Sequence, residues 1–265
     1  MELWLAAVLG VLEGLTEYLP VSSTGHLIVA ERFLGTKNDA FDIVVQFGAI
    51  LAVLVHYREL LAGHAKGLVR REPASMTLLL ALVVGFVPTA ISGLLFRKAI
   101  KAHLFNPTTV ACALFVGGIV MIVVERVRAS KAITGEDGLE HVTLKRAAII
   151  GLGQCVSMIP GSSRSMCTIL AGQFTGLSTK TAAEFSFLLG LPTLGAATMY
   201  EAYKSRKELF APGQISALAV GLVVSFFVAW AVIASFVRYL GKRGLEPFGA
   251  YRIVLALVVF AVLVR

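Results

Sequence analysis

Two short polar stretches, EGLTEYLPVSSTGH at 13–26 and QCVSMIPGSSRS at 154–165, interrupt an otherwise apolar chain, and how they break it decides the fold. Each follows an apolar segment, Leu3–Leu12 or Ala147–Ile159, shorter than the roughly 20 residues a helix needs to cross a ~30 Å hydrocarbon layer. Each then carries a proline, small polar residues and a second short apolar helix, the pattern of a re-entrant hairpin. Non-helical backbone at membrane depth is tolerated only where protein or a water-filled cavity surrounds it, so both breaks are expected to point inward. A charge at mid-bilayer costs roughly 2.5–3.5 kcal/mol even on a lenient insertion scale. Glu13, Glu17, His26 and Arg164 must therefore be satisfied internally or used.

The rest of the chain agrees with a membrane setting. Of 265 residues 57% are hydrophobic and only 15% charged, against about a quarter charged in soluble domains, and mean hydropathy is +0.82. Met76–Phe96, Thr108–Val124, Thr181–Tyr200 and Ile215–Val237 qualify as spans. Ala40–His56 is a poorer one because it contains Asp42 and Gln46, and Phe248–Val264 holds Arg252 near one end. Arg252, Tyr57, Tyr200, Tyr239 and Tyr251 are expected at the interface, where long amphipathic side chains settle. The start, MELWLAAVLG, lacks the basic flank of a secretory signal, so the N-terminus is expected to be retained. The net charge of +8 is spread over connecting segments rather than gathered on one face, which argues for topology and lipid headgroups and against nucleic acid. Cys112, Cys155 and Cys167 show no metal spacing and imply no disulfide framework.

Aligning Pro20 with Pro160 superimposes Val21-Ser22-Ser23 on Gly161-Ser162-Ser163, and three candidate spans follow each hairpin. An odd number of crossings turns the second copy upside down. The expected fold is thus an all-α polytopic membrane protein with about six transmembrane helices and two re-entrant helical hairpins in an inverted-topology repeat. It forms a single membrane domain, 1–265, with pseudo-repeats at approximately 1–125 and 146–265. Lys and Arg are more numerous on the side of Arg58–Arg71, Arg126–Arg146 and Arg238–Arg243, so the positive-inside rule puts the termini outside. The first hairpin then opens outward. Small-residue pairs such as Gly117-Gly118 admit a homodimer, but they serve helix contacts within one bundle equally well.

Glu13 and Glu17, four residues apart, share a helix face. Two adjacent carboxylates do not both ionise cheaply: either one holds a proton, or a divalent cation lies between them, and hard oxygen ligands suit Mg²⁺ or Ca²⁺. Ser22, Ser23 and Thr24 supply hydroxyls that serve as helix caps or as nucleophiles, beside Gly25 and the imidazole of His26. In the second stretch Gly161, Ser162 and Ser163 form a small-residue turn at the head of the apolar helix Met166–Phe174. A helix start offers free N–H groups to an anion, and Arg164 adds a fork matched to phosphate oxygens. Its alternative is a salt bridge to Glu13 or Glu17. Thr168, one turn after Arg164, shares its face. Anion donors, hydroxyls, a histidine and paired carboxylates are the set that phosphoryl chemistry requires.

EGLTEYLPVSSTGH and PGSSRS resemble the two signature motifs of the bacterial undecaprenyl-diphosphatase family, linked to bacitracin resistance, and the likeness covers the whole chain. The resemblance implies dephosphorylation of undecaprenyl diphosphate to the monophosphate carrier needed for peptidoglycan and other envelope polymers. It also implies a location in the bacterial inner membrane, a site opening toward the periplasm and stimulation by Mg²⁺ or Ca²⁺. Carried onto this sequence, its motifs put functional weight on Glu13, Glu17, Ser22, Ser23, Thr24 and His26, and on Ser163, Arg164, Ser165 and Thr168. Ser23 is the preferred nucleophile, with direct attack by His26 the alternative. Glu17 or His26 acts as base, Glu13 and Glu17 hold the metal or carry protons, and Arg164 with amides near Gly161 and Ser163 holds the diphosphate. Ser23-Thr24-Gly25-His26 and Ser163-Arg164 superficially resemble motifs of the type 2 phosphatidic acid phosphatases, but that class needs a His where this chain has Leu170. The rival class is a transporter or flippase for an anionic lipid or small ion, since paired broken helices are also a transporter layout.

Overall fold

The computed structural model describes residues 1–36 and 38–264, and among these residues every extended element is helical. The first half begins with a hairpin, α1 (Leu3–Thr16) and α2 (Ser23–Leu34). It continues through α3 (Asp39–His56), α4 (Arg58–Val69), α5 (Pro73–His103) and α6 (Pro107–Ser130). After a single 3₁₀ turn at Leu139–His141 the order recurs. A hairpin of α7 (Leu144–Val156) and α8 (Arg164–Phe174) precedes α9 (Thr179–Lys204), α10 (Arg206–Leu209), α11 (Ile215–Leu240) and α12 (Glu246–Leu263).

Among the described residues five helices, α5, α6, α9, α11 and α12, are long and apolar enough to cross a membrane, and α3 with α4 supplies a sixth if that pair, bent by 70°, is one span. The bend falls at Tyr57, which is buried within the protein. Helix α5, at 31 residues, is about 46 Å long at 1.5 Å per residue, well beyond the stretch its hydropathy marks. Its polar extension is held by Arg97, which pairs with Glu201 at 2.6 Å near the end of α9.

Each half's first hairpin helix packs on the other half: α1 on α11, and α7 on α5. The approach is close enough to require glycine. A Cβ on Gly10 would lie 2.7 Å from Gly221 O, and one on Gly151 would lie 2.4 Å from Gly85 O. Matching Gly10 with Gly151 sets Ser22 against Ser163, not Ser162, so the proline alignment is one residue out of register. The last helices, α6 and α12, cross where Gly118 and Gly249 meet, and Gly117 leaves room for the Arg252 guanidinium. The small-residue pair expected to admit a homodimer is thus consumed inside the bundle.

Arg252 corrects another expectation. It is fully buried, and its guanidinium donates to Pro20 O at 3.3 Å, Gly161 O at 2.9 Å and Ala113 O at 3.1 Å. The two hairpin bends leave carbonyls without helical N–H partners, and a five-donor cation satisfies several of them at once.

Candidate active site

Glu17 lies just past α1 with helical backbone, so it stays on the face of Glu13, and both are buried. The chain then bends through Tyr18–Val21 and restarts as α2 behind the cap Ser22, whose Oγ accepts from Gly25 N. The second hairpin is built the same way, with Ser163 Oγ accepting from Met166 N. Both cap serines carry positive φ, 72° and 71°. The first residues of α2 and α8 are consequently equivalent, and they are Ser23 and Arg164.

Both reach one carboxylate. Ser23 Oγ donates to Glu17 Oε2 at 2.9 Å, and Arg164 Nη2 donates to Glu17 Oε1 at 3.0 Å. A hydroxyl, a base within hydrogen-bond reach and a third group orienting that base form the arrangement of an activated nucleophile. Arg164 donates through Nη1 to Ser186 O at 2.9 Å, stacks over the Tyr18 ring at 5.3 Å and lies against Gly190. Its Nε has no partner. That buried donor remains available to an oxyanion.

The other residues divide into support and exposure. Thr168 is fully buried; its Oγ1 donates to Arg164 O at 2.8 Å and accepts from Ser186, so it steadies Arg164. Ser163 donates to Ser165, and Ser165 donates to Leu19 O at 2.9 Å, joining the two bends. Gly161, with φ of 92°, turns its carbonyl to Arg252. Thr24 and His26 are partly exposed at the head of α2. His26 makes its ring contacts elsewhere, Nδ1 at 2.8 Å from Ser22 O and Nε2 at 2.6 Å from Tyr251 OH. Since a carbonyl only accepts, Nδ1 carries the proton and the tyrosine donates to Nε2.

Glu13 is the unsettled member. Only 1% exposed, it has no hydrogen bond of ordinary geometry to either oxygen, and the groups facing it are Glu17, Asp42 and Gln46. A buried carboxylate so placed calls for a proton or a cation. Among the described residues no group of three or more His, Cys, Asp and Glu is placed to hold a metal. Two carboxylates nevertheless fit an ion such as Mg²⁺, which keeps several waters and takes substrate phosphate oxygens as further ligands. The position matching Glu13 in the second hairpin is Gln154, fully buried, donating to Thr89 Oγ1 at 2.9 Å and accepting from Thr193 at 3.4 Å. Glu17 is matched by Met158.

Ser186, Gly190, Tyr18, Tyr251 and Arg252 complete the site without having been assigned to it from the sequence. Asp42 and Gln46 did give a signal, as polar residues inside a span, and the structure turns them toward Glu13.

A family model, bacitracin resistance protein BacA, matches residues 6–258. A protein of Sorangium cellulosum named undecaprenyl-diphosphatase is 57% identical over 96% of this chain and 84% of its own length. One of the same name from Aromatoleum aromaticum is 47% identical, covering 97% of this chain and 93% of its own. The undecaprenyl-diphosphatase 2 of Rhodospirillum rubrum has the same identity and coverage. With paired hairpins meeting on one glutamate and this likeness along nearly its whole length, the chain belongs to the bacitracin resistance protein BacA family.

Proposed function

We propose that this protein is a membrane phosphatase that hydrolyses undecaprenyl diphosphate to undecaprenyl phosphate and inorganic phosphate. The observation that carries the reading is the Glu17 carboxylate shared by Ser23 and Arg164. Ser23 Oγ attacks the terminal phosphorus and its proton passes to Glu17. The bond from that phosphorus to the bridging oxygen breaks, and undecaprenyl phosphate leaves. Water then gives a proton to His26 Nε2 and attacks the phosphoserine; the bond from phosphorus to Ser23 Oγ breaks, Oγ takes back the proton held by Glu17, and inorganic phosphate leaves. Arg164 Nε and the first amides of α8 hold the phosphoryl oxygens through this sequence, which is chiefly positioning and charge neutralisation. Glu13 and Glu17 would hold a Mg²⁺ or Ca²⁺ ion, whose chemistry there is to neutralise the diphosphate.

The polyprenyl tail lies against the apolar face. An open groove of about 640 Å³ includes Leu15, Leu19 and Phe236. From Phe236 an aromatic chain runs through Phe187 to Tyr18 under Arg164. The membrane is the bacterial inner membrane, the site faces the periplasm, the two halves have inverted topology, and the product returns to the carrier pool for peptidoglycan, with bacitracin resistance as a consequence of higher activity. The topology rests on the distribution of Lys and Arg and on the recurring element order.

Phosphate release from a polyprenyl diphosphate by purified protein in detergent tests the activity. Near wild-type turnover for Arg164→Ala or Glu17→Ala overturns it. Rapid quench with substrate labelled at the terminal phosphorus assigns the nucleophile: labelled protein lost in Ser23→Ala supports serine attack, and label that persists there but disappears in His26→Ala moves the attack to His26. Gradient-driven movement of lipid or ion in liposomes without phosphate release replaces the enzyme by a transporter.

A further inference from the structure

Helix α12 places two consecutive residues on the two hairpins, and the hydrolysis described above uses neither. Tyr251, about half exposed, stacks on the His26 ring with centroids 5.6 Å apart and planes 6° apart, and its hydroxyl lies 2.6 Å from Nε2. Arg252, fully buried, holds Pro20 O in one bend and Gly161 O in the other. These carbonyls are equivalent in the register that matches Ser22 with Ser163. One side chain therefore fixes the separation of the two bends from which Ser23 and Arg164 start.

The same pair controls His26 from both ends. Pro20 lies two residues before Ser22, whose carbonyl takes the Nδ1 proton, so the bend that Arg252 grips also carries the acceptor that orients the ring. Tyr251 donates to the opposite nitrogen. A ring with an acceptor at Nδ1 and a donor at Nε2 has one neutral tautomer, and its Nε2 lone pair points along the bond now occupied by the tyrosine. Water takes the place of the tyrosine hydroxyl at a lone pair that the hydroxyl has held in one direction. Gly118 of α6 meets Gly249 of α12, and three residues on, where α12 carries Arg252, α6 carries Met121, so this clamp on the bends comes from α12.

We propose that Tyr251 and Arg252 form a positioning element for the reaction, Arg252 by holding the two hairpin bends in register and Tyr251 by fixing the tautomer and direction of His26. The inference rests on the phosphatase reading, and its test separates the two. Tyr251→Phe keeps the stacked ring and removes only the hydroxyl. Arg252→Lys keeps the charge but not the planar fork that spans separate carbonyls. In protein whose folding is verified by a thermal melt, each variant is expected to lower kcat about tenfold with KM within about twofold, the signature of lost orientation rather than lost binding.

Histidine ¹⁵N spectra, with His26→Gln assigning the signal, supply an independent readout. Wild type is expected to show His26 protonated at Nδ1, and Tyr251→Phe to shift the Nε2 signal and mix the tautomers. Wild-type kcat in either folded variant, or a wild-type spectrum with the proton on Nε2, overturns the proposal. Absence of phosphate release from the wild-type protein overturns the phosphatase reading instead, and the spectra still decide whether Tyr251 holds His26.

Discussion

The two hairpins share a backbone plan and differ in chemistry. Each has a glycine pressed on the opposite half, a bend, a serine cap with positive φ and a short helix after it. In the second, Gln154 has its hydrogen bonds made and Met158 brings no acid. In the first, the same two positions are Glu13, without a partner, and Glu17, shared between a hydroxyl and a guanidinium. Where caps align, Ser23 faces Arg164. Two hairpins of like backbone thus carry acid and hydroxyl on one and the cation on the other, and the three side chains meet only where the hairpins do.

The comparison breaks most completely if Glu17 is made like its counterpart. Glu17→Met is expected to lower phosphate release by about a thousandfold, within the range general-base removal spans. It also leaves Arg164 buried and unpaired, a loss of about 3–5 kcal/mol that a thermal melt would register. Copying Gln154 onto the first hairpin, Glu13→Gln, should cost about a hundredfold and abolish stimulation by added Mg²⁺. Its reciprocal, Gln154→Glu, is expected to give no gain in turnover and to lower stability by about 1–3 kcal/mol, because the Thr89 contact loses its donor. Gly190→Ala is milder. Its Cβ would lie 3.2 Å from the Arg164 guanidinium, and a displacement of a few tenths of an ångström should lower kcat about tenfold with little change in melting temperature.

The smallest effect lies where the second hairpin is tied to the strap between the halves. The Glu136 amide donates to Gly176 O at 2.9 Å, and its carboxylate pairs with Arg146. The hydrogen bond from Arg146, aided by the charges of Arg146 and His141, holds the Glu136 carboxyl below its usual value. A depressed folded-state pKa means stabilisation that is present above the unfolded value and lost as pH falls through the folded one. Glu136→Gln should therefore lower the melting temperature slightly at pH 7, and the difference from wild type should shrink as pH falls below the usual carboxylate range. The effect is small because the pair is solvent-exposed.

Much of this was legible because membranes make polar residues conspicuous. Both bends and the residues that gather on Glu17 stand out as interruptions in apolar sequence, and four long spans as unbroken apolar runs. Arg252 was misplaced for the same reason: near the end of an apolar run an arginine looks interfacial, and only the meeting of two distant bends supplies the carbonyls that bury it. The proline alignment missed the register by one residue because the prolines are staggered while the caps and close-packed glycines correspond. Ser186 and Gly190 carry no mark in sequence, since a serine and a glycine inside a span read as helix-packing residues until a guanidinium is seen to rest on them.

The two cap serines hold a backbone shape that costs a side-chain-bearing residue about 1–3 kcal/mol, whereas glycine in place of a serine cap forfeits only a few tenths. A sturdier molecule is thus one substitution away at either turn. What such a molecule would surrender is stiffness at the two points that launch Ser23 and Arg164, so robustness and aim pull in opposite directions at Ser22 and Ser163.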